Sequence, residues 1–162
     1  MGDMSWGHYL FGFSGRINRA KYWLWVLVYL AAAIVVAIVV YAVHSAILGG
    51  ILNLAFTIAA LVSSLAIVSK RLHDRNKSAW WILLFYLLPT VLMGIGFGVI
   101  LAGAISGSGD IDANAMKGPG LIGGLLFLVS AGILIWAFVE IASLRGTVGP
   151  NQYGADPLEG KY

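Results

Sequence analysis

The chain has 162 residues and a formal net charge of +3; 60% of the residues are hydrophobic and 10% are charged. This composition lies well outside the range of soluble domains, and the length fits one domain. The absence of cysteine excludes disulfides, thiol catalysis and cysteine-ligated metals. The sequence therefore predicts an integral membrane protein with a single membrane domain, residues 1–162.

Four apolar segments are each long enough to cross the hydrocarbon core of a bilayer, which takes about 20 helical residues. They are residues 22–43, 51–69, 80–102 and 121–142. Such continuous apolar runs differ from the alternating pattern of a barrel strand, so each segment is predicted to be a helix. We therefore expect an all-α fold, a four-helix transmembrane bundle.

The segments outside the predicted spans differ strongly in their basic residues. Nine of the ten Lys and Arg residues precede the first span, join the second to the third, or follow the fourth. The two remaining loops carry one, Lys117. The positive-inside rule therefore places both termini, and the loop of residues 70–78, in the cytoplasm.

Three further segments are too short or too polar to span a membrane. Residues 6–13 are aromatic-rich and are predicted to lie along the cytoplasmic interface. Residues 103–120 are rich in Gly and Ser, which predicts a flexible external loop. Residues 146–157 are a run of turn formers, which predicts an irregular strap against the cytoplasmic face.

Three ordered motifs lie on the predicted cytoplasmic side. They are FGFSGRINRAKYW (residues 11–23), RLHD with SAWW (residues 71–74 and 78–81), and GTVGPNQYGADP (residues 146–157). Together they resemble domain-of-unknown-function family 805, a family of small bacterial inner-membrane proteins. The resemblance implies a multi-spanning protein of the inner membrane and implies no particular activity.

These motifs supply candidate site residues on the cytoplasmic side. The candidates are Arg16, Arg19, Arg71, His73, Asp74, Trp80 and Trp81. On one interpretation the charges only orient the protein during insertion. On the other they bind anionic lipid headgroups, where a cation near the surface contributes about 1 kcal/mol. Arg suits this role because it can bind a phosphate through two N–H groups.

Glu140 is the one charged residue inside the four predicted spans. An ionisable group at such a position usually faces a partner or a water-filled cavity. It would serve either as a proton or cation relay, or as an intramembrane ion pair with Arg71 or Arg16. We favour the ion pair, because no other Asp, Glu or His lies within a predicted span.

His73 and Asp74 are adjacent, and adjacent helical residues point about 100° apart, so they do not form a catalytic dyad by themselves. The spacing of Lys70 and Asp74 instead predicts a helix-stabilising ion pair. The sequence carries no recognisable catalytic or metal-binding motif, and no cofactor is predicted.

The sequence thus predicts a non-enzymatic integral inner-membrane protein that binds anionic lipid headgroups or serves as an accessory subunit of a membrane complex. A homo-oligomer is compatible with this prediction, and no nucleic-acid partner is expected. The first alternative is a small oligomeric transporter or channel that uses Glu140. The second is an enzyme that acts on lipid from the cytoplasmic face.

Overall fold

The computed structural model describes residues 5–105 and 117–160, and every regular element within them is helical. Four of the helices are long and apolar enough to cross a membrane, which confirms the predicted all-α fold. The described residues form two compact units, residues 5–79 with 140–160 and residues 80–139. The prediction of one membrane domain, and the side on which the termini lie, stay predictions.

The first unit begins with a short helix, α1 (Trp6–Phe11), which is followed by the first long helix, α2 (Arg19–Val43). The side chain of Asn18 caps α2 by accepting a hydrogen bond from the backbone N–H of Lys21 at 2.9 Å. This cap and the apolar run that follows it set where α2 starts. The helix ends at His44, whose φ of 49° turns the chain towards the next helix.

The second long helix, α3 (Ala46–Asp74), is longer at both ends than the predicted span of residues 51–69. It begins after Ser45, whose side chain accepts a hydrogen bond from the backbone N–H of Leu48. It continues past the apolar run because the side chains of Lys70 and Arg71 are fully buried against other parts of the same unit. Hydropathy alone therefore underestimated its length.

The second unit contains a π-helical segment (Leu83–Leu87), then α4 (Leu88–Ile105) and α5 (Lys117–Phe138). The π-helical segment ends just before Pro89, which has no backbone N–H to donate within a helix. Its wider turn places the N–H of Leu88 on the carbonyl of Leu83, five residues earlier. A second π-helical segment, Val139–Ser143, continues α5 into the first unit.

Glycines bring α4 and α5 close together. A Cβ atom added to Gly123 would lie 2.8 Å from the carbonyl oxygen of Gly96. Ser130 adds a hydrogen bond to the carbonyl of Pro89, at 3.3 Å. Small residues allow this approach where lipid supplies no hydrophobic driving force between helices.

The segment of residues 103–120, predicted as a flexible external loop, is helical at both of its ends. Helix α4 runs to Ile105 and α5 starts at Lys117, so both ends of the predicted loop are helical. Pro119 is compatible with this start because the first turn of a helix needs no internal N–H donor. Residues 106–116 lie outside the described residues.

Candidate functional site

A buried carboxylate, Asp74, lies at the centre of a polar network in the first unit. It is the last residue of α3 and is 2% exposed. Its Oδ1 accepts a hydrogen bond from Arg16 Nε at 3.2 Å, and its Oδ2 accepts one from Arg71 Nη1. Two guanidinium groups thus neutralise one carboxylate, and the predicted pair between Lys70 and Asp74 is wrong.

Arg16 joins this carboxylate to the C-terminal tail. Besides Asp74, its guanidinium donates to the carbonyls of Thr147 at 2.7 Å, Gly149 at 2.8 Å and Gly154 at 3.2 Å. The backbone N–H of Thr147 donates in turn to the carbonyl of Asp74, at 2.8 Å. The strap that the turn formers predicted is therefore fastened to the end of α3.

Side chains of α2, of α3 and of Arg75 bind the backbone of residues 141–145, where the second π-helical segment ends. Carbonyls at the end of a helix lack partners within it and carry partial negative charge, so cations there are stabilising. The carbonyls of residues 141–145 each accept a hydrogen bond from one of four side chains. The donors are Arg71 to Ile141 and Leu144, Trp23 to Ala142, Arg19 to Ser143, and Arg75 to Arg145.

Lys70 likewise binds backbone carbonyls, here those of α1 and of Gly12 just after it. Its ammonium group donates to the carbonyls of His8 at 3.0 Å, Tyr9 at 2.6 Å and Gly12 at 2.6 Å, which uses all three of its N–H bonds. The Tyr9 hydroxyl donates to the carbonyl of Lys21. Burial raises the pKa of Tyr9, so this hydroxyl stays protonated. The predicted interfacial location of residues 6–13 stays a prediction.

Glu140 forms an ion pair, but with other partners than the sequence suggested. Its Oε1 lies 3.1 Å from Arg75 Nε and 3.7 Å from Lys77 Nζ. The expectation of a pair with Arg71 or Arg16 is wrong, because both of those guanidinium groups are bound to Asp74 and to backbone carbonyls.

Replacing Glu140 by Gln is expected to lower the free energy of unfolding by about 1 kcal/mol, since partly exposed ion pairs contribute little. The side chains of Arg75 and Lys77 are 25% and 24% exposed. The measurement is unfolding of the purified protein by sodium dodecyl sulfate in mixed micelles. A double-mutant cycle with Arg75→Gln measures the interaction energy between Glu140 and Arg75. If the losses in unfolding free energy from the two single variants simply add in the double variant, the ion pair is contradicted.

His73 packs against the tail. Its Nδ1 donates to the carbonyl of Gly15 at 3.2 Å, and its ring stacks on Tyr153 with the centroids 4.0 Å apart and the planes 6° apart. Asn151 Nδ2 donates to the carbonyl of His73 at 2.9 Å. Within residues 5–105 and 117–160, no three His, Asp or Glu side chains group as metal ligands.

The two candidate tryptophans belong to the second unit. Trp80 is 76% exposed. The Trp81 ring lies 5.5 Å from Phe85 and 5.7 Å from Trp136, centroid to centroid. The other five candidate residues lie together in one hydrogen-bond network. They are Arg16, Arg19, Arg71, His73 and Asp74.

Sequence reasoning missed several members of this network. Lys70 and Arg75 lie in the same basic segment as Arg71, but neither was singled out as a site residue. Gly146 was also missed, although a Cβ atom at this position would lie 2.0 Å from Asp74 Oδ2. The only signal for it was the Gly-Thr pair that opens the third motif.

A cavity of about 230 Å³ opens beside the network. Arg19 and Arg145 line it and are exposed. Asp74 and Asp156 also line it, but both are buried. Asp74 is bound by two Arg side chains, and Asp156 accepts hydrogen bonds from two backbone N–H groups. Of the described charged side chains at the cavity, the exposed ones are therefore the two Arg residues.

Four apolar helices, with a buried charge network at one end of the first unit, define a multi-spanning integral membrane protein. The chain belongs to the family described as "Protein of unknown function (DUF805)", whose model matches residues 10–155. This confirms the family that the three motifs predicted.

Three proteins of Escherichia coli (strain K12) are similar to the chain. "Uncharacterized protein YiiR" is 28% identical over 155 residues, which cover 95% of this chain and 91% of YiiR. "Inner membrane protein YhaH" is 35% identical over 82 residues, or 49% of this chain and 67% of YhaH. "Inner membrane protein YhaI" is 40% identical over 78 residues, or 46% of this chain and 62% of YhaI. No solved structure matches the chain significantly.

Proposed function

We propose that this chain is a non-enzymatic protein of the inner membrane that binds anionic phospholipid headgroups, at the cavity between Arg19 and Arg145. The observation that carries the proposal is the exposed guanidinium group of Arg19 on a cavity whose carboxylates, Asp74 and Asp156, are already engaged. A guanidinium group presents several N–H donors in one plane and suits a phosphate.

The residues proposed to contact the lipid headgroup differ in part from the candidates Arg16, Arg19 and Arg71 that the sequence suggested. Arg16 and Arg71 are 6% and 0% exposed, and their guanidinium groups donate to Asp74 and to backbone carbonyls. They are unsuited to contact a headgroup directly. Arg19 is exposed, and the structure gives it one hydrogen bond, to the carbonyl of Ser143 at 3.4 Å. Of the three, Arg19 is the one suited to bind lipid.

The charge balance of the first unit supports an anionic ligand. Its described residues include eight Lys and Arg against four Asp and Glu. Asp74 and Glu140 each face two of these cations. Such an excess of positive charge attracts anionic lipid. Arg19 also opens the apolar helix α2, along whose surface the acyl chains of a bound lipid would lie.

The double variant Arg19→Gln/Arg145→Gln is expected to bind phosphatidylglycerol about 20- to 30-fold more weakly, since each cation contributes about 1 kcal/mol. The measurement is native mass spectrometry of the purified full-length protein, titrated in mild detergent with phosphatidylglycerol and, in parallel, with zwitterionic phosphatidylethanolamine.

Lys117→Gln is the matched control for each of the single variants Arg19→Gln and Arg145→Gln, because each of the three removes one basic charge. Lys117 belongs to the second unit and is not among the residues that line the cavity. Equal phosphatidylglycerol affinity in the wild type and the double variant would overturn the proposal. So would a loss in Lys117→Gln equal to that in the single variants, because the effect would then reflect net charge and not the cavity.

The other candidate functions have less support. The ion pair of Glu140 with Arg75 suits a structural role for this carboxylate better than a relay. His73 is engaged with Gly15 and Tyr153, which does not favour a catalytic role on lipid. A role as an accessory subunit is compatible with headgroup binding and stays a prediction.

A further inference from the structure

One polar side chain on the apolar helix α3 has an amide nitrogen that donates no hydrogen bond to any described residue. Asn53 is exposed and lies within the predicted second span. Its Oδ1 accepts a hydrogen bond from Thr57 Oγ1 at 3.4 Å, whereas no residue in the described ranges accepts one from its amide nitrogen. Unpaired N–H groups are unfavourable in hydrocarbon, where no water replaces the missing partner. An acceptor for the amide nitrogen of Asn53 must therefore come from something other than the described residues of this chain.

Asn53 belongs to a row of small or polar residues along α3. The members follow one another at alternating spacings of four and three residues, as in the seam of a left-handed helix pair. Small residues in such a row let two helices approach closely within a membrane. The row consists of Ala46, Gly50, Asn53, Thr57, Ala60 and Ser64, all exposed or partly exposed.

This row is separate from the face that α3 packs against α2. At about 100° per residue, the row lies about 80° around the helix axis from the α2-facing residues. The contacts with α2 include Gly49 with Val40, Phe56 with Tyr29, and Ser63 with Trp25. Within the first unit, the packing of α2 on α3 therefore does not cover the row.

A groove of about 380 Å³ runs along the second half of the row, from Thr57 to Ser64. Thr57, Ala60 and Ser64 form one wall, and the stacked rings of Tyr29 and Phe56 border it. A neighbouring helix could place side chains into this groove, as knobs enter holes in a packed helix pair. The polar amide and the groove thus lie on one continuous surface.

We propose that this face of α3 binds the same face of a second copy of the chain, which gives a symmetric dimer in the membrane. A carboxamide carries both donors and an acceptor, so the Asn53 side chains of two copies can pair with each other. A two-fold interface brings equivalent residues together. A lipid acyl chain would fill the groove but would leave the Asn53 N–H groups unpaired, so a second copy is the better occupant.

The absence of cysteine makes the proposal directly testable. The full-length Thr57→Cys variant, kept in native membranes and oxidised with copper phenanthroline, is expected to form a disulfide-linked dimer. The control is Ile58→Cys, which lies at the same depth, is 55% exposed in the parent chain and points about 100° away. Equally fast cross-linking of both variants would show random collision and overturn the proposal.

A second measurement tests Asn53 itself. Asn53→Leu is expected to weaken dimerisation in lipid nanodiscs about tenfold, the factor that corresponds to an interhelical hydrogen bond in model peptides. Asn53→Gln keeps the carboxamide and should retain most of the dimer. If Asn53→Leu leaves the dimer fraction unchanged, or lowers the stability of the monomer instead, the face packs within its own chain and the proposal is wrong.

Discussion

Replacing Asp74 by Asn is expected to lower the free energy of unfolding by about 3–5 kcal/mol, the usual loss when one partner of a buried ion pair is removed. The variant keeps the size of the side chain but removes its charge. Arg16 and Arg71 would then stay buried without a counter-ion. Because Arg16 also holds the tail, the tail is expected to detach before the helices separate.

Two measurements check this expectation. Unfolding by sodium dodecyl sulfate in mixed micelles gives the stability, and the rate of trypsin cleavage after Arg145 reports release of the tail. The control is Glu159→Gln, which removes an acidic charge from an exposed residue of the same tail. If Asp74→Asn and Glu159→Gln behave alike in both assays, the carboxylate of Asp74 does not hold the network together.

The four long helices were predictable because their signal is local. An apolar run of about 20 residues needs a helix to satisfy its backbone groups in lipid, whatever it packs against. The predicted ends of the spans were wrong where contacts with other parts of the fold extend a helix beyond its apolar run. Helix α3 reaches Asp74 because Arg16 and Arg71 bury that carboxylate, and neither contact is visible in hydropathy.

The pairing of charges was not predictable from the sequence. Four cations lie within residues 70–77, and sequence spacing cannot say which of them meets Glu140. The fold determines the pairing. Lys70 binds the carbonyls of residues 8, 9 and 12, Arg71 binds Asp74, and Arg75 and Lys77 lie beside Glu140. The spacing of Lys70 and Asp74 therefore misled, whereas the pair of Arg71 and Asp74, three residues apart, was overlooked.

The three family motifs contribute to one structural network. The first supplies Arg16, the second supplies Asp74, and the third supplies the Thr147 backbone that both residues bind. Much of the order within these motifs therefore serves to fasten the chain at the polar end of the first unit. Function is better sought in the exposed cations around this network than in the buried residues that form it.

Replacing Gly146 by Ala is expected to lower the free energy of unfolding by up to about 3 kcal/mol, the upper range for adding a methyl group to a packed site. The added Cβ would lie 2.0 Å from Asp74 Oδ2 and 2.4 Å from its Cγ. Asp74 cannot move aside freely, because Arg16 and Arg71 hold its two oxygens. The methyl group must therefore displace either the tail or the ion pair.

The matched control is Gly98→Ala in α4, where an added Cβ meets no atom within 4 Å. Ala favours a helix interior over Gly by about 1 kcal/mol, so this variant should be as stable as the wild type or more stable. A further variant separates the clash from a general effect on the tail. If contact with Asp74 is the cause, the loss from Gly146→Ala should shrink in an Asp74→Ala background. An undiminished loss there would assign the effect of Gly146→Ala to the tail backbone instead.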